Sequence, residues 1–220
     1  MTRELQFGRR APVSGKAKSL VVFLHGYGAD GADLLGLADP LGPHLPDTVF
    51  IAPDAPERCG GNPFGYQWFP IPWIDGSSEA AAAAGMAEAM ADLNAFLDAR
   101  LAEEGLDDSA LALVGFSQGT MMALAVAPRR PSACACVVGF SGMLVAPERL
   151  AAETVSRPPV LLVHGDADEV VPPAAMPAAA EALRAAGFAV STHVCRGVGH
   201  GIAPDGLSLA LQALKEHLPG

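Results

Sequence analysis

Leu111-Ala112-Leu113-Val114-Gly115-Phe116-Ser117-Gln118-Gly119-Thr120 is the stretch on which the reading of this chain turns. Its first six residues are apolar or glycine, the run expected of a strand covered on both faces. Met121 to Val126 continue as an apolar segment, which predicts a buried helix stopping near Pro128, since proline cannot continue it comfortably. Between the two lies Gly115-Phe116-Ser117-Gln118-Gly119. A strand-to-helix turn this sharp needs glycine on either side of its tip, and it lifts a serine hydroxyl clear of the sheet edge. From the chain's own Gly and Ser frequencies the five-residue pattern arises by chance about 0.1 times, before its context is required. The uncharged stretch from Ser109 to Pro128 is long enough to raise the question of a membrane span. A lipid-exposed helix has no use for the Ser117-Gln118 cluster, so a buried strand and helix are expected instead.

The same alternation extends outward. Short apolar runs at Leu20–His25, Val49–Ala52, Cys136–Phe140, Val160–His164 and Val190–Cys195 predict further strands. Separated by helical patterns, they predict an α/β class fold, a mainly parallel central sheet with helices on both faces. Met86, Met90, Leu93, Leu97 and Leu101 form one helical stripe that Gly105 should end. Glu88, Asp92, Asp98, Glu103 and Glu104 fall largely off that stripe and are expected to form a solvated face. Two more helices are expected, one near Pro177–Ala186 and one placing Leu207, Leu211, Leu214 and Leu218 on a face. Glu57–Ser78 fits neither pattern, yet holds Phe64, Tyr66, Trp68, Phe69 and Trp73, five of the chain's 13 aromatics. It is expected to be a long loop that packs over the core or shapes a substrate channel. Without a repeat or a composition break, a single domain over residues 1–220 is expected.

Composition narrows the partners. Only 17% of the 220 residues are charged, against about 25% in average proteins. There are 24 acids and 14 bases, a net charge of −10. Residues 1–29 carry +4, residues 30–108 carry −13 and residues 109–220 carry −1. No segment offers the basic patch that nucleic acid or an anionic membrane needs, so neither is an expected partner. The N-terminal residues lack the apolar run of a signal peptide. Cys59, Cys134, Cys136 and Cys195 are too few and scattered for a disulfide framework, which suggests reduced thiols in a cytoplasmic protein.

A serine hydroxyl is a poor nucleophile at neutral pH and needs a base, and the base an orienting acid. His200, in Gly197-Val198-Gly199-His200-Gly201, follows the last expected strand. Asp166 and Asp168 both follow the strand ending at His164, and both are candidates for the acid. Singly, a loop histidine or a post-strand aspartate is unremarkable chemistry. The order Ser117, Asp168, His200, each at a strand's C-terminal end, is one that a serine hydrolase uses. A developing oxyanion needs two aimed backbone N–H groups. Gln118, following the serine, and Tyr27, in Leu24-His25-Gly26-Tyr27-Gly28, are the expected donors.

Leu24-His25-Gly26-Tyr27-Gly28-Ala29-Asp30-Gly31, Ala52-Pro53-Asp54-Ala55-Pro56, the serine elbow, His164-Gly165-Asp166 with Val170-Val171-Pro172, and Gly199-His200 occur in that order. Together they resemble the phospholipase/carboxylesterase family of small α/β-hydrolases, which includes acyl-protein thioesterases. Tyr27 and the Tyr66–Phe69 stretch look like its bacterial carboxylesterase members. The resemblance implies the α/β-hydrolase fold and Asp168 as the acid, and it implies that a homodimer is possible. The expected activity is that of a serine carboxylesterase acting on small ester or thioester substrates, with no metal or cofactor required. Residues 142–158 are too few for a large lid domain, so short- to medium-chain acyl groups are expected, with Trp68, Phe69 and Trp73 near the entrance or acyl channel. Lysophospholipase or acyl-protein thioesterase activity is the enzymatic alternative, and a non-catalytic hydrolase-fold binding protein is the other.

Overall fold

In chain order the strands are β1 (Phe7–Arg10), β2 (Ser19–Leu24), β3 (Thr48–Pro53), β4 (Glu57–Arg58), β5 (Tyr66–Gln67), β6 (Leu111–Phe116), β7 (Cys136–Phe140), β8 (Val160–Gly165) and β9 (Val190–Cys195). The helices are α1 (Gly31–Leu35), α2 (Ala38–Leu41), α3 (Pro72–Asp75), α4 (Glu79–Glu104), α5 (Gln118–Val126), α6 (Pro147–Glu153), α7 (Ala175–Ala185) and α8 (Pro204–His217). These elements come from a computed structural model that describes residues 2–60, 62 and 64–219. The main sheet runs β1-β3-β2-β6-β7-β8-β9, and β4 pairs only with β5. Only β1 is antiparallel within the main sheet, where it pairs with β3. Among the described residues no helix is long and apolar enough to cross a membrane.

The interior strands read as continuous apolar runs because both faces are covered. Leu20, Val22 and Leu24 of β2 enter one core with Leu93 and Leu97 of α4, Met121 and Leu124 of α5, and Leu183 of α7. Val21 and Phe23 enter the opposite core with Leu34 of α1, Leu41 of α2 and Leu214 of α8. Every residue of α5 is buried, so the helix behind the serine elbow has no solvent face. Helix α4 starts where the Ser78 side chain accepts the Ala81 N–H, and it ends at Gly105 in the left-handed region, φ 68°.

Two expectations need correction, and β1 adds a strand that the apolar runs do not predict. Strand β1 escapes the apolar-run criterion because it is an exposed edge, Phe-Gly-Arg-Arg, where charge is what keeps an edge from pairing. Glu57–Ser78 is not structureless: it contains β4, β5 and α3. The acidic side of α4 is not simply a solvated face. Asp92 is buried, and its carboxylate accepts both the Arg3 backbone N–H and the Arg3 Nε–H at 2.7 Å. Arg9 reaches Glu104 at 2.7 Å, and Arg130 reaches Asp98 at 2.7 Å. Part of the acidic block therefore holds the basic N-terminal segment onto the domain.

Candidate active site

Chain order reverses direction at β2. From there the chain steps outward to β3 and then returns to build β6 on the other side. Ligand sites in open α/β sheets lie outside the carboxyl ends of the strands at such a switch point. Tyr27 follows β2, Ser117 follows β6, Asp168 follows β8 and His200 follows β9, all on that edge.

The elbow is tight. Ser117 sits at φ 53°, ψ −116°, a strained position for a residue with a side chain, and its N–H donates to Phe140 O at 2.8 Å. A Cβ at Gly119 would lie 1.8 Å from Leu24 O, and one at Gly115 would lie 2.5 Å from the Gly119 backbone. Both glycines are thus steric requirements of the turn. The only other non-glycine residues with positive φ among those described are Ser141 and Ala146.

His200 Nδ1 lies 2.8 Å from Asp168 Oδ2, and the Asp168 side chain is fully buried. Asp168 Oδ1 accepts the Val170 and Val171 N–H groups, each at 2.9 Å. Burial alone would raise its pKa, but the His200 hydrogen bond and the two backbone donors outweigh that and hold the carboxyl below its ordinary value. An ionised carboxylate can only accept, so the shared proton resides on His200 Nδ1 and leaves Nε2 with a lone pair. His164, buried at the end of β8, places Nε2 3.3 Å from Asp168 Oδ2 and 2.9 Å from Val171 O. Asp166 stands apart: its Oδ1 accepts the Gly197 N–H at 2.6 Å, ordering the loop that carries His200.

Ser117 and His200 line one cavity of about 200 Å³, whose wall is otherwise apolar, from Ile71, Trp73, Ile74, Phe116, Met121, Val170 and Val171. Gly26, Tyr27 and Ala29 form its remaining side, and a wider depression shares Tyr27 and Ile74 with it. A larger groove of about 460 Å³ between β8, β9 and α8 contains none of these residues. The Gly28 and Ala29 N–H groups bond Tyr66 O and Gly26 O. Among the described residues, the Tyr27 and Gln118 N–H groups have no protein acceptor.

Of the three aromatic residues expected at the entrance, only Trp73 is on the cavity wall, and it is 65% exposed. Trp68 and Phe69 are buried behind the site. The Trp68 indole N–H donates to His25 O at 3.0 Å, while the Gln118 side chain accepts the Trp68 N–H at 2.8 Å and donates to Phe69 O at 2.7 Å. These bonds clamp the aromatic segment to the elbow, a role that spacing along the chain does not announce. His25 is a second supporting residue. Its Nε2 accepts the Ala55 N–H at 2.9 Å, so its proton is on Nδ1 and points to Gly26 O at 2.7 Å. Burial pushes its pKa down, which keeps the ring neutral and the loop before Tyr27 fixed.

A doubly covered parallel sheet with a strained serine elbow at its switch point defines an α/β-hydrolase. The family model described as phospholipase/carboxylesterase matches residues 11–218, and the chain belongs to that family. The solved structure of esterase PE8 is 47% identical and superposes with a TM-score of 0.93, covering 98% of this chain and 100% of that one. Esterase YpfH of Escherichia coli is 28% identical over 92% of this chain and 84% of its own. Zea mays acyl-protein thioesterase 2 is 26% identical, with a TM-score of 0.77 over 97% of this chain and 99% of that one.

Proposed function

We propose that this protein is a serine carboxylesterase that cleaves short- to medium-chain esters through an acyl-enzyme. The observation that carries the reading is the buried Asp168 bonded to His200, with His200 and Ser117 on one small apolar cavity. Ser117 Oγ attacks the ester carbonyl carbon and its proton passes to His200 Nε2, while Asp168 stabilises the imidazolium. The Tyr27 and Gln118 N–H groups receive the negative charge on the carbonyl oxygen. His200 then protonates the departing alkoxide, takes a proton from water, and the resulting attack releases the acid and restores Ser117.

The cavity supports the size preference. At about 200 Å³ it is smaller than the roughly 300–1,000 Å³ of pockets for drug-sized ligands. The test is a series of nitrophenyl esters and matched thioesters with acyl chains from two to sixteen carbons. Highest kcat/KM on short and medium esters is expected, and Ser117→Ala should lower kcat by about 10³-fold or more. Rates that climb steadily to the longest chains, or a marked preference for thioesters, would replace this reading with the lipid- or protein-directed alternatives.

A further inference from the structure

The loop carrying His200 has a second cluster at its root. Cys195 is the last residue of β9 and Asp205 the second of α8, so residues 196–204 hang between these two side chains. His193 lies two residues before Cys195 on β9 and therefore on the same face of the strand. One ligand atom from each of His193, Cys195 and Asp205 lies within 4.8 Å of the others. His193 Nε2 is 2.8 Å from Asp205 Oδ2, with both side chains at the surface, whereas Cys195 is buried beneath them. A Cβ at Gly206 would meet Cys195 Sγ at 3.3 Å and Val163 Cγ1 at 2.8 Å, so glycine there lets α8 approach the sulfur.

An exposed His–Asp pair alone contributes little to stability and asks for no sulfur beside it. Imidazole, thiolate and carboxylate together are a donor set that zinc takes up in four-coordinate sites. We propose that His193, Cys195 and Asp205 bind one thiophilic divalent cation of the zinc class, joining the two roots of the His200 loop. Zn–S of about 2.3 Å and Zn–N of about 2.0 Å put tetrahedral ligand atoms roughly 3.5 Å apart, so binding requires the His193 and Asp205 side chains, both at the surface, to adjust from their present 2.8 Å contact. On binding, Cys195 gives its thiol proton to solvent as the metal–sulfur bond forms. The His193 ring, whose Nε2–H donates to Asp205 in the metal-free protein, passes that proton to solvent and takes one up at Nδ1, so that the Nε2 lone pair binds the metal while Asp205 exchanges its hydrogen bond to His193 for the metal. The site is distinct from the Asp168–His200 pair, and a test has to separate them.

Equilibrium dialysis of the full, tag-free chain against Zn²⁺ should give about one equivalent bound, in the native protein and in His200→Ala alike. His193→Ala, Cys195→Ser and Asp205→Asn should each weaken binding about tenfold or more, and Co²⁺ should show a sulfur-to-metal charge-transfer band that Cys195→Ser removes. His193→Ala removes a partly exposed side chain and keeps the question answerable should Cys195→Ser fail to fold. Binding well below one equivalent, affinity unchanged in His193→Ala, or binding lost in His200→Ala overturns the proposal.

Discussion

The imidazole of His25 is neutral because both of its nitrogens are already committed, one accepting from Ala55 and the other donating to Gly26 O. Its folded pKa is lowered from 6.5 by burial. A lowered histidine pKa means the unfolded chain binds the extra proton first, so stability is full above about pH 6.5 and is lost as pH falls through the folded value. We therefore expect urea midpoints to fall between pH 7 and pH 5, and His25→Asn to flatten that fall; an unchanged pH slope in the variant would refute the assignment. Gly119→Ala places its methyl against Leu24 O and should destabilise the protein by about 3 kcal/mol or more, read from denaturant unfolding. Local residue types were enough to nominate Ser117, Gly115 and Gly119, since a sharp turn leaves a short-range mark. The supporting partners left none: the Trp68 indole finds His25 O across 43 positions of chain.

At the scale of elements, the aromatic segment divides by function along its length. Trp68 is fully buried and bonded, so Trp68→Ala should cost about 3–5 kcal/mol in stability. Trp73 and Ile74, on α3, are exposed and line the cavity. Trp73→Ala should leave the melting temperature nearly unchanged while raising KM for medium-chain esters more than for acetate. Equal effects of the two substitutions on stability would erase this division. Strands β2, β3, β6, β7 and β8 could be read from the chain because strands inside a covered sheet are largely apolar, whereas β9, at the opposite edge from β1, carries Ser191, Thr192 and His193 and shows only a partial apolar pattern. Strand β1 could not, being an edge with two arginines, nor could burial of Asp92, whose Arg3 partner is 89 positions away. Arg3→Ala leaves that carboxylate without its cation and should lower stability by about 1–2 kcal/mol, a modest value because Arg3 is one-third exposed.

For the whole molecule, acidity and catalysis are expected to occupy different ground. The net charge of −10 is concentrated before residue 109, and the described cavity wall contains no carboxylate. Asp75 lies in the depression outside it. An anionic acyl ester should therefore react about tenfold more slowly than its neutral analogue at low ionic strength, and added salt should narrow the gap. Equal rates at low salt would remove electrostatics from the account of specificity. The sheet order places four loops on one edge, and that convergence is why residues from Tyr27 to His200 surround a single cavity. The most direct measurement is intact-mass analysis after exposure to a fluorophosphonate. A single adduct on Ser117 is expected, absent from Ser117→Ala and strongly slowed in His200→Ala and Asp168→Asn but not in Asp166→Asn. A folded protein that takes up no label, or one that is labelled equally after Ser117→Ala, would contradict it.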